Sequence, residues 1–364
     1  MKVYIYLVMA VWISLLGILV HLGRKYHWES TVLIGKRKYA VSLNVIPWFL
    51  IFATMTLFGG LRYRVGTDFE SYAEIFGNIS RQWFDPRYAG TEWAFVWLNR
   101  LITVFTVNPQ YLFFITNLFI TSFGLICIGK YSRFVPLSLY IFYTTIYYQG
   151  FNLVRQGMAC AVVFLAFGVY HEGKWIKSYL LILLASLFHR TALIALPVFV
   201  LMQFRYSQVW YYIFGVLASL AFLLKEQINE LLLRFYPSAA ATDASYLYEE
   251  FSPVQVILSL SYVILCFLYY RKMLTKKTHN VVYINFSVLL LGLYTCFYWI
   301  PMWGRLQLYF SCFYGLIVPE LISCEDNRVL RVIYYLAIWG IMLFFYMVPV
   351  WISGTGFWEY QMIP

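Results

Sequence analysis

Two arginines and an aspartate crowd into LRYRVGTDFESY, residues 61–72, directly behind the apolar run Val45–Phe58. Charge is costly at a hydrocarbon edge, so Arg62, Arg64 and Asp68 call for a reason. Guanidinium groups clamp phosphates, and a carboxylate beside them can accept a proton. Three further clusters have the same character. In GFNLVRQG, residues 150–157, Arg155 and Gln156 open an apolar helix whose first N–H groups also favour anions. In SLFHRTAL, residues 186–193, His189 and Arg190 interrupt an apolar stretch. An imidazole there suits a general base or a phosphate hydrogen bond. In WIPMWGRLQLYF, residues 299–310, Arg305 lies between Trp303 and Tyr309, and aromatic rings beside an arginine suit sugar faces and phosphates.

Each cluster also has a plain structural reading. Arginines at span ends snorkel to lipid phosphates, and Trp and Tyr anchor helices at the interface. A lone histidine among apolar residues commonly satisfies a backbone carbonyl. Thr67 and Asp68 precede Phe69, Tyr72 and Phe76, with Glu70 and Glu74 on the other side, the pattern of a short capped amphipathic helix. Gly66 ahead of it allows an unusual backbone angle or a close approach.

The elements that must carry these residues are apolar. Of 364 residues, 62% are hydrophobic and 12% charged, where a soluble domain would carry about a quarter charged residues. Repeated apolar runs of membrane-crossing length make this an all-α polytopic membrane protein. The runs fall near 3–21, 44–60, 110–129, 134–151, 157–173, 178–204, 208–224, 253–270, 281–299, 306–322 and 332–350. The run 178–204 is too long for one relaxed span and is predicted to be two short helices meeting at His189 and Arg190. That gives about twelve membrane segments, some short or re-entrant, in one integral membrane domain over 1–364. Six scattered cysteines form no CxxC pair, so neither a metal site nor a disulfide framework is indicated.

The net charge of +11 lies largely in short loops, where it sets orientation and is no footprint of nucleic acid. Placing the basic loops in the cytoplasm requires that 91–105 not cross fully, lying as an interfacial or re-entrant helix within an outer-face loop, 61–109. A second outer-face loop, 225–251, is a lid candidate. Arg62, Arg64, Asp68, Arg155, Gln156, His189, Arg190 and Arg305 then all fall on the outer face, beside the bilayer. Several arginines there, with few carboxylates, suit a lipid-linked anion such as a polyprenyl diphosphate. No nucleotide-binding or hydrolase motif is present.

The ordered motifs Arg64–Tyr72 (Arg-x-Gly-Thr-Asp-x-x-x-Tyr), Asn152–Gln156 (Asn-x-x-Arg-Gln) and Phe188–Leu193 (Phe-His-Arg-Thr-Ala-Leu) resemble the EpsG family of polysaccharide polymerases, with Arg190 a departure. These are Wzy-like polymerases of O-antigen, capsule and exopolysaccharide repeat units. The resemblance implies a GT-C-like glycosyltransferase in the bacterial cytoplasmic (inner) membrane, its active site facing the periplasm or outside. Its substrates would be undecaprenyl-diphosphate-linked oligosaccharides, joined by inverting transfer without metal or cofactor. Its partners would be the bilayer and a polysaccharide chain-length regulator, with no nucleic acid. Asp68 and His189 compete for the base, Asp68 being the first choice. Arg62, Arg64, Arg155, Gln156, Arg190 and Arg305 are assigned to diphosphate or substrate, and Tyr72, Trp303 and Tyr309 to glycan. A flippase for the same lipid, or an O-antigen-ligase-like transferase, is the alternative.

Overall fold

The computed structural model describes residues 4–34, 37–81, 91–206, 208–235, 253–300, 303–352 and 360–362. Apart from one short hairpin, the described chain is helical. The hairpin pairs β1 (Glu29–Ile34) antiparallel with β2 (Arg37–Ser42), from Glu29 opposite Ser42 to Ile34 opposite Arg37.

Among the described residues, four helices are long and apolar enough to cross a membrane. They begin with α1 (Tyr4–Lys25), and two bent pairs raise the number to six if each counts as one span. This is a multi-pass membrane protein. Fewer spans pass on length and composition than the twelve or so segments predicted, because several runs are broken or short. The run 178–204 divides into α8 (Trp175–Phe188), a 3-10 turn (Arg190–Ile194) and α9 (Ala195–Met202), with the break at His189 as predicted.

The chain forms two compact units. In the first, comprising 1–170, 175–193 and 311–364, the central element is α6 (Val135–Phe142). All eight of its residues are buried, as expected of a helix apolar on every side. It packs against α1 and α5 (Gln110–Tyr131). It then opens into a π-helical turn, Tyr143–Tyr147, whose phenols are satisfied on other helices. Tyr143 donates to the Tyr6 carbonyl at 3.0 Å, and Tyr147 to the Met55 carbonyl of α2 (Val45–Gly60) at 2.5 Å. The π turn leads through Gly150 into α7 (Val154–His171). A Cβ on Gly157 would lie 2.8 Å from the Gly150 Cα, so the two limbs of this bend meet backbone to backbone.

Two short helices complete the part of this unit that carries the chemistry. In α3 (Phe69–Arg81), Phe69, Tyr72, Phe76 and Ile79 are buried while Glu70 and Glu74 are exposed, the three-four spacing of an amphipathic helix. Phe69 stacks on Phe113 of α5 at 4.1 Å. The helix α4 (Trp93–Thr103) has 11 residues, about 16 Å of rise, roughly half the hydrocarbon thickness. It buries Phe95, Asn99 and Ile102 and exposes Trp93, Trp97 and Leu101. By length it falls short of a full crossing.

The second unit comprises 171–174 and 194–310. It includes α9, α10 (Gln208–Leu223), α11 (Lys225–Phe235), α12 (Pro253–Leu268), α13 (Tyr270–Lys276), α14 (Val281–Cys296) and α15 (Trp303–Ser311). Its polar brace is Asn285, which donates to the Met202 and Phe204 carbonyls at 2.9 and 2.6 Å and accepts from Tyr211 at 2.8 Å. The predicted loop 225–251 begins as the helix α11, and its remainder, with the lid reading, lies outside the described residues.

Candidate active site

The turn between α2 and α3 is fastened to the start of α7. Gly66 has φ +100°, and a Cβ there would meet the Phe151 carbonyl oxygen at 3.1 Å. Asn152 Oδ1 accepts from the Thr67 hydroxyl and from the Asp68 N–H, both at 2.9 Å. Asp68 is half-buried, and its carbonyl starts α3 by accepting from the Tyr72 N–H at 3.0 Å. Gly66→Ala is expected to destabilise by about 1–3 kcal/mol through its positive φ and this clash, read as a lower thermal midpoint in detergent.

Arg62 is 1% exposed and occupied by the backbone. It donates to the Gly59 carbonyl at 2.5 Å and the Phe151 carbonyl at 3.2 Å, and its guanidinium lies 4.9 and 4.7 Å from the Phe113 and Phe151 ring centres. Burial pulls its pKa down to about 10, so it stays cationic at neutral pH. It therefore clamps the end of α2 to the bend before α7, and the structure offers a substrate no open face of it. Arg64 is a surface group with φ +54°, paired with Glu70 at 2.9 Å.

The ionised centre of this unit is a carboxylate outside the predicted set of site residues. Glu92, at the N-terminus of α4, is 6% exposed. Its Oε2 lies 2.5 Å from Arg155 Nη1, and its Oε1 lies 2.8 Å from His189 Nδ1 and accepts the Arg190 backbone N–H at 3.3 Å. Arg155 also donates to the phenol of Tyr72, and its guanidinium carbon is 5.8 Å from the centre of the Phe95 ring. Tyr72 itself meets Phe95 edge-on at 5.9 Å. Burial raises the pKa of the Glu92 carboxyl, but the His189 hydrogen bond and the Arg155 charge outweigh it and hold the group at about 2. Glu92 is a fixed anion, too weak a base to take a proton from a hydroxyl.

A carboxylate can only accept, so His189 Nδ1 carries the hydrogen and the lone pair of the neutral ring is on Nε2. No partner of Nε2 is present among the described residues. The ring is held by the helix break: the His189 N–H still bonds the Ala185 carbonyl at 3.1 Å, while its own carbonyl starts the 3-10 turn. The Arg190 side chain is exposed beside it, and Gln156 is buried next to Arg155.

Three of the four sequence clusters thus meet in one unit, with Arg155, His189 and the Arg190 backbone gathered on Glu92 and Tyr72 joined to it through Arg155. Arg305, Trp303 and Tyr309 belong to the second unit. Trp303 and Tyr309 are 1% and 0% exposed, so packing already covers their rings. Nothing local marks Glu92, since a carboxylate opening a helix is an ordinary cap. Its partners are 63 and 97 residues away in sequence.

Apolar helices of membrane length define a multi-pass membrane protein, and its first unit holds a buried carboxylate–arginine–histidine cluster. Residues 45–362 match the EpsG family, and the chain belongs to that family. Its members are Wzy-like polymerases, which places the chain in polysaccharide biosynthesis. No curated protein and no solved structure matches the chain.

Proposed function

We propose that this protein lengthens a polysaccharide by transferring a glycan from a polyprenyl diphosphate, undecaprenyl diphosphate in a bacterial inner membrane, to a hydroxyl of another lipid-linked repeat unit. The observation that carries the reading is the Glu92–His189 pair with Arg155 on the far carboxylate oxygen. This is the arrangement that fixes an imidazole as a base, one nitrogen tied to an anion and the other left with its lone pair.

In the proposed step, His189 Nε2 takes the proton of the acceptor hydroxyl. The oxygen attacks the anomeric carbon from the face opposite the diphosphate, the anomeric C–O bond breaks, and its electron pair leaves on the diphosphate. The configuration inverts. Glu92 stabilises the imidazolium, and the exposed Arg190 with the remaining N–H groups of Arg155 meets the growing negative charge, where preorganised cations matter most. In this reading Asp68 shapes the turn that fixes α3 and leaves the base role to His189. The outer-face location, the re-entrant α4 and a GT-C-like arrangement of about twelve segments belong to the same proposal and rest on charge, helix length and family membership.

The test is to incubate purified protein in detergent with lipid-linked repeat units and resolve the products by size. A ladder of longer glycans that persists in EDTA is expected. A protein that moves the lipid across liposomes yet never lengthens the glycan would overturn the proposal in favour of a flippase.

A further inference from the structure

We infer that the cavity lined by Tyr63, Phe69, Glu70, Ala73, Asn108 and Gln110 holds a sugar ring of the lipid-linked glycan; this rests on the polymerase reading. The cavity lies wholly in the first unit, beside the turn before α3, and measures about 430 Å³, within the range of small-ligand pockets.

Its walls combine an aromatic ring, a free acceptor and a free donor. Tyr63 is held by its N–H, which bonds the Gln361 carbonyl at 2.8 Å, and its ring meets Phe69 edge-on at 5.9 Å. Glu70 Oε1 pairs with Arg64 at 2.9 Å, and Oε2 has no partner among the described residues. Asn108 Oδ1 accepts from the Gln110 N–H at 2.9 Å, and its amide NH₂ has no partner among the described residues. Gln110 is anchored by its own amide, which donates to the Gly60 and Arg62 carbonyls at 2.7 and 3.0 Å.

This lining selects by chemistry. Glu70 is paired with Arg64, whose guanidinium lies 5.3 Å from the centre of the Tyr63 ring, so the wall offers a phosphate no net positive charge, and unpaired polar groups make a poor seat for a hydrocarbon tail. One carboxylate already paired with an arginine is too little charge for a divalent cation, which gathers six or more oxygen ligands. A neutral ring bearing hydroxyls satisfies all of it, donating to Glu70, accepting from Asn108 and lying against Tyr63. The position fits too. Phe69, Glu70 and Ala73 line the cavity, and Tyr72 of the same helical turn accepts from Arg155. A ring seated here would lie against α3, the helix that also carries Tyr72, the partner of Arg155.

The experiment uses the full chain in nanodiscs and the phosphate-free repeat-unit oligosaccharide released by mild acid from the host's own lipid-linked pool. Calorimetric titration of the wild type is expected to saturate. Ala73→Trp, which fills the cavity, and Tyr63→Ala, which removes its ring, should each weaken binding about 10-fold or more, with Glu70→Gln weakening it less. Ala73→Trp is the check against misfolding, since it adds bulk to open space and removes no contact; its thermal midpoint should match the wild type. No binding by the wild type, or equal binding by the wild type and Ala73→Trp, overturns the inference. If the wild type builds a ladder and Ala73→Trp binds and elongates equally well, the subsite fails while the polymerase reading stands. If no ladder forms but binding is lost in both cavity variants, the polymerase reading fails and the sugar site remains.

Discussion

His189→Ala is expected to slow glycan elongation by about 10²–10⁴-fold, the contribution of a positioned general base. The protein should still insert and purify, because the ring makes one described side-chain hydrogen bond, to Glu92, and the helix break around it is held by backbone groups. Losing that bond costs on the order of 1 kcal/mol. Adding imidazole to His189→Gly should restore part of the rate, which a purely structural role would not allow. Asp68→Asn supplies the contrast. Asp68 contributes its backbone N–H to Asn152 and its carbonyl to Tyr72, and both survive the change. Elongation should therefore fall little in Asp68→Asn. A large loss there with His189→Ala still active would return the base role to Asp68.

Glu92→Gln is expected to act on rate and stability together. The amide keeps the shape but loses the charge that fixes the His189 tautomer and balances the imidazolium, so elongation should fall by about 10²–10⁴-fold. It also leaves Arg155 facing an uncharged group. Removing one partner of a buried pair costs roughly 3–5 kcal/mol, and the low end applies because the Arg155 side chain is 27% exposed. The pH dependence follows from the sign of the Glu92 shift. Its carboxyl is held at about 2, below the ordinary 4.5, so its contribution to stability is complete above about 4.5 and vanishes as pH falls towards 2. Thermal unfolding of the wild type should weaken over that window, and Glu92→Gln should lack this component. The double variant Glu92→Gln/Arg155→Gln should be more stable than the two single changes predict by addition, since the two groups share one interaction. Additive losses would mean that Arg155 and Glu92 act separately.

Much of the architecture was determined by the sequence alone. Apolar runs predicted helices near the observed α1, α2, α5, α7 and α14 because a membrane solvent demands long apolar stretches with internally bonded backbones. The break at His189 was visible for the same reason, since an ionisable group interrupts an apolar span. The motifs around Arg64, Arg155 and His189 pointed to the family that residues 45–362 match.

Only the tertiary structure decided what each charge does. Arg62 and Arg155 read alike in sequence, as arginines beside apolar helices. Burial gives Arg62 two carbonyls and two rings, and gives Arg155 a carboxylate and a phenol. Glu92 becomes an ionised centre only where α4, α7 and the end of α8 meet around it, and Tyr63 shares a cavity with Asn108 and Gln110 only because the turn before α3 lies beside the start of α5. Hydrophobic periodicity records which side chains leave water, a property of each residue and its near neighbours. Which buried charge meets which partner depends on segments tens of residues apart, and no local pattern encodes it.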